Sequence, residues 1–134
     1  MENLIELLEE RNRHLRKFKK VNDVEMDNFC HGNFDNLENF YKTREGLLDV
    51  IRSLDELISG SNQEFIESNE INMDTKKVVG RALSEKTRLV TSILSQDLQI
   101  LSFIEQAKSE MIKDLSAVKI ARRAVGAYKS RGRS

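Results

Sequence analysis

The chain has 134 residues, about the length of one domain, and its single cysteine, Cys30, excludes an intrachain disulfide. Charged residues make up 33% and hydrophobic residues 39%, while proline is absent, a balance that suits amphipathic helices with broad solvated faces. Net charge is zero but uneven. The stretch from Lys119 onward holds six basic residues and no acidic one, so the remaining sixteen basic and twenty-two acidic residues leave the preceding body at −6.

The first predicted helix covers roughly 2–29. Leu4, Ile5, Leu8, Leu15, Phe18, Val21 and Phe29 recur at helical rather than strand spacing. The apolar stripe thins at Arg11 and Asn12, which predicts a wet or kinked stretch there. His31-Gly32-Asn33 ends the helix, since glycine accepts the left-handed conformation a helix terminus needs. Asp35 is the expected cap of the second helix, with Glu38 completing a capping box. Leu37, Phe40, Tyr41, Leu47, Leu48, Ile51, Leu54 and Ile58 follow as a continuous stripe, and Ser59-Gly60-Ser61 is the expected stop. The short turn at Gly32 makes these two helices an antiparallel hairpin.

Asn62, Asn69 and Asn72 predict a loop over 61–73 that contains one or two helical turns. From Asp74 a long third helix begins, whose apolar positions persist from Val79 through Leu89, Ile93, Ile104 and Leu115 to Val118. Several come in neighbouring pairs, so the stripe is wider than one packing seam requires. Gly126 is the expected hinge or end, leaving a short C-terminal helix or tail. The expected fold is therefore all-α, a hairpin plus one long third helix, with a body over 1–118 and a basic, regulatory tail over 119–134.

Chemistry finds little footing. Asp23, Glu25 and Asp27 alternate like the start of a calcium loop, but Asn28 stands at the sixth position and Phe34 at the twelfth, so the bidentate glutamate is missing. Cys30, His31 and His14 fall short of a structural zinc set, and Cys30 is expected as a half-buried small hydrophobe. Phosphate-cradling glycine motifs are absent. No metal, cofactor or catalytic residue is expected, and the chain is not expected to be an enzyme. The acidic body would repel a duplex that the basic tail attracts, so nucleic acid is not the expected partner. No stretch approaches the ~18 apolar residues of a membrane span. The acidic, amphipathic N-terminus lacks the pattern of a signal peptide, so the expected location is cytoplasmic. A surplus apolar face on the third helix points instead to a protein partner.

Two stretches resemble the flagellar type III export chaperones of the FliT and FlgN kind. One is 26–58, with Gly32-Asn33-Phe34-Asp35-Asn36-Leu37-Glu38 similar to the turn into the family's second helix. The other is Ile93-Leu94-Ser95-Gln96-Asp97, followed by Ile100, Ile104, Leu115, Arg123 and Ala127-Tyr128, similar to the client-binding helix and tyrosine-bearing tail. The Arg131-Gly132-Arg133 ending and the asparagine-rich linker depart from that pattern. The resemblance implies a cytoplasmic chaperone that binds a helical segment of an axial flagellar protein, of the filament-cap or hook-junction type, and hands it to the export machinery. Its client surface would comprise Val90, Ile93, Leu94, Ile100, Leu101 and Ile104, and Val118, Val125 and Tyr128 would belong to the regulatory tail. The alternative is a coiled-coil scaffold or homodimer without chaperone activity.

Overall fold

The computed structural model describes residues 2–68 and 72–132, with side chains described for 3–64 and 72–127. Among the described residues three helices account for the fold: α1 (Glu2–Cys30), α2 (Leu37–Ser68) and α3 (Met73–Gly132). The chain divides into two compact units, Met1–Ile100 and Leu101–Ser134, and α3 supplies residues to both. This division falls earlier than the change of charge at Lys119.

Local chemistry fixes the hairpin. Gly32 has φ +75°, and the amide of Asn33 donates to the Asn28 carbonyl at 2.9 Å while that of Gly32 donates to Phe29 at 2.9 Å. This pair of bonds is a Schellman motif and satisfies carbonyls that the last turn of α1 would leave orphaned. Phe34, two residues beyond Gly32, stacks on Phe29 at 4.7 Å between ring centroids, and Phe40 meets Phe29 edge-on at 5.8 Å. The aromatic cluster therefore closes the turn. Asn36, rather than Asp35, stands at the start of α2: its carbonyl accepts the Phe40 amide at 2.9 Å. Asp35 instead donates its amide to Asn33 Oδ1 at 3.0 Å, an Asx turn that sharpens the connection.

Two expected helix stops are crossed. α2 runs through Ser59-Gly60-Ser61 to Ser68, and α3 runs through Gly126 to Gly132. A glycine costs ~1 kcal/mol against alanine inside a helix, too little to break one that has hydrogen bonds on both sides and no proline. Asn72 opens α3, accepting the Thr75 amide on its Oδ1 at 2.7 Å and the Lys76 amide on its carbonyl at 3.1 Å. Asn69 lies outside the described residues.

Within the first unit the helices form an up-down-up bundle. Arg11 reaches Asp55 and Glu25 reaches Asn36, so α1 and α2 are antiparallel. Asn12, Arg16 and Asn22 meet Ala82, Glu85 and Gln96 in ascending order, so α1 and α3 are parallel. The core joins Leu15 and Phe18 of α1, Ile51 of α2 and Ile93 of α3, with Leu47, Leu89 and Val90 packed against them. Each such side chain contributes about 1.5–3 kcal/mol when fully buried. Arg11 and Asn12 do not make a wet stretch. Both are buried, and they continue the inward face with polar chemistry: Arg11 pairs with Asp55 at 2.8 Å and Asn12 donates to the Ala82 carbonyl at 2.9 Å.

The second unit is simpler. Residues 101–132 are helical, and every side chain from Lys108 to Ala127 is exposed. Met111, Ile112, Leu115, Val118, Ile120 and Val125 are each 47–66% exposed. Among the described residues no helix is long and apolar enough to cross a membrane.

Candidate functional site: an apolar groove between α2 and α3

The first unit carries a groove of about 240 Å³ whose floor is Leu15, Phe18, Ile51 and Ile93 and whose walls include Leu48 of α2 and Val90 and Leu94 of α3. Both walls come from amphipathic helices whose stripes are wider than the three-helix core consumes. Leu48 is 37% exposed and Leu94 60%, while the floor residues are buried. On α3 the exposed face continues one turn further with Leu98, and on α2 Tyr41 lies two turns before Leu48 on the same face; both are exposed. What the groove offers is hydrocarbon with little to hydrogen-bond, suited to apolar side chains rather than to a polar metabolite.

One end is set by charge. The Arg44 guanidinium lies 4.8 Å from the Phe18 ring centroid and 5.0 Å from that of Phe40, and it donates to Asp97 Oδ1 at 2.8 Å. Two aromatic faces and one carboxylate thus hold a single planar cation. Beside it runs a buried polar belt. Asn22, with no exposed surface, donates to Gln96 Oε1 at 3.1 Å and approaches Asp97 at 3.5 Å. Gln96 in turn donates to Asp23 and to the Lys19 carbonyl. These bonds lock the height of α3 against α1, and so the level at which Leu94 stands above the floor.

Of the six residues of the expected client surface, the four in the first unit do not share one face. Ile93 and Ile100 are buried, at 8% and 3% exposure, and Ile93 belongs to the core. Val90 is half-buried in the groove wall, whereas Leu94 is open to solvent. Leu101, 52% exposed, and half-buried Ile104 belong to the second unit. Neighbouring pairs such as Ile93/Leu94 look equivalent in a hydropathy pattern, yet they sit ~100° apart on a helix, enough to put one inside and one outside. Among the tail residues, Val118 and Val125 are exposed, and the Tyr128 side chain lies outside the described residues. The Arg44 clip and the Asn22–Gln96 belt went unread because polar residues on an apolar stripe look like interruptions.

The remaining candidates separate. Asp23 bonds Gln96, Glu25 is buried and accepts from Asn28 and Asn36, and Asp27 is exposed. No group of three or more His, Cys, Asp or Glu fit to hold a metal occurs among the described residues. Cys30 is exposed rather than half-buried, because Phe29 takes the inward position beside it. His14 Nδ1 donates to the Glu10 carbonyl at 2.9 Å. Burial first, then the charges of Lys17 and Arg13, lower its pKa from the ordinary 6.5. Glu10 Oε1 at 3.4 Å opposes that shift without reversing it.

Comparison with protein-family models, with curated proteins and with solved structures gave no match.

Proposed function

We propose that this chain is a binding protein rather than an enzyme, and that its α2/α3 groove receives one amphipathic helix of another protein. The observation that carries this reading is the groove itself, with an apolar floor, leucines left open on both walls and a fixed cation at one end. A partner helix with an apolar residue every three or four positions would lay that stripe over Leu48 and Leu94. The resemblance in sequence to the export chaperones supplies the occupant: a helical segment of a flagellar axial protein, of the cap or hook-junction type, held unassembled in the cytoplasm until export.

The test is titration calorimetry of the full chain with purified helical terminal segments of cap and hook-junction proteins. Leu94→Asp should weaken binding at least about tenfold, as expected for a charge placed in a desolvated hot spot, with melting temperature unchanged. Ile93→Asp, by contrast, buries a charge in the core and should unfold the bundle. Absence of binding by every axial segment would overturn the flagellar assignment. Undiminished binding by Leu94→Asp would overturn the groove.

A further inference from the structure

The second unit presents a helical face that nothing in the first unit's groove explains. From Lys108 to Ala127 no described side chain is buried, and a helix of that length without a packed face is marginal in water. Six of its apolar residues and two cations nevertheless fall on two seven-residue repeats, with Ile112 and Ile120 off them. Leu101, Lys108, Leu115 and Arg122 recur every seven residues, and Ile104, Met111, Val118 and Val125 recur every seven residues, three positions behind them. Alternating steps of three and four are the a and d positions of a two-stranded coiled coil.

We propose that residues 101–125 pair with the same segment of a second copy of this chain, in antiparallel orientation. Charge decides the partner and the direction. A parallel pair would set Lys108 against Lys108 and Arg122 against Arg122 inside the seam, and would gather both basic ends in one place. The antiparallel pair sets a against d: Leu101 meets Val125, Met111 meets Leu115, and the two cations meet Val118 and Ile104, past which their stems can reach solvent. Glu105, on the flank of the seam, then faces Lys119 of the second copy and lies beside its Arg122. Lys119, Arg122 and Arg123, with no acidic residue among the residues from Lys119 onward, are thereby set against the segment that holds Glu105. Arg122 gains Glu105 of the second copy as a neighbouring carboxylate, and the pairing closes on a two-fold axis. This pairing does not rest on the groove reading.

Sedimentation equilibrium of the full chain measures it. The expected result is a dimer that Leu115→Asp weakens at least about tenfold, while the melting of the bundle stays as in the parent chain. Lys108→Leu should tighten the dimer, a gain that misfolding cannot imitate. Orientation is read in a Cys30→Ser background. A mixture of Leu101→Cys and Val125→Cys chains should form a disulfide-linked dimer, and neither chain alone should. A monomer at all accessible concentrations would overturn the proposal, and so would self-linkage of Val125→Cys. Leu94→Asp should remain dimeric; its dissociation would place the seam elsewhere and overturn the assignment.

Discussion

Arg44→Leu is the substitution that weighs the groove's charged end most directly. The change removes a guanidinium held between two rings at 4.8 and 5.0 Å and bonded to Asp97 at 2.8 Å, while keeping much of the aliphatic stem's packing. Each cation–π contact contributes about 0.5–1 kcal/mol at a partly desolvated site. The charge-assisted hydrogen bond would add about 1.5–3 kcal/mol if buried, but the Asp97 side chain is 36% exposed and water moderates its loss. The expected destabilisation is about 2–3 kcal/mol, or roughly 10 °C or more in melting temperature for a bundle of this size. Arg44→Lys keeps the charge and gives up the planar stack, so it should fall about 1 kcal/mol below the parent chain. Thermal and urea melts followed by far-UV circular dichroism measure both, and a double-mutant cycle with Asp97→Asn should return a coupling of about 1 kcal/mol. If Arg44→Lys melts with the parent chain and the coupling is zero, the arginine is a surface residue that happens to lie near two rings, and the clip has no energetic content.

Glycine substitutions should split in sign. Gly32→Ala should destabilise by about 1–2 kcal/mol by urea denaturation, because φ +75° strains any L residue even though no atom lies within 4 Å of the added methyl. Gly60→Ala, in open space within α2, should stabilise by about 0.5–1 kcal/mol in the same assay. His14 makes stability depend on pH. Its folded pKa lies below the unfolded value, so the unfolded chain takes up the proton first and stability is lost as pH falls from 6.5 through the folded pKa. His14→Gln should flatten that part of a stability-against-pH curve, and an unchanged slope would assign it to other groups.

Helix spacing was legible wherever it was uninterrupted: the all-α fold, the hairpin at Gly32 and the long third helix follow from periodicity and one positive-φ glycine. The errors share a physical origin. Arg11 and Asn12 look solvated in a hydropathy pattern, yet each finds a partner on a neighbouring helix, Asp55 or the Ala82 carbonyl, that no local rule supplies. Ser59-Gly60-Ser61 and Gly126 resemble breaks, but the helical hydrogen bonds on either side outweigh one glycine. Asn72 looks like loop and is a cap, because its side chain replaces the amide partner that a helix start lacks. Leu94 and Ile93 are separable only once the neighbouring helices fix which side of α3 faces inward.

The polar belt also orders the events of synthesis. Asn12 and Asn22 find their partners on α3 some seventy residues later in the chain, at Ala82 and Gln96. While a ribosome is still extending the chain, the α1–α2 hairpin can close on its aromatic turn, but the inward amides of α1 must stay hydrated and the hairpin cannot dry its face. Cooperative folding therefore waits until the part of α3 that belongs to the first unit has emerged. A nascent chain stalled before residue 96 would be a wet hairpin, prone to exchange and proteolysis, rather than a smaller version of the bundle.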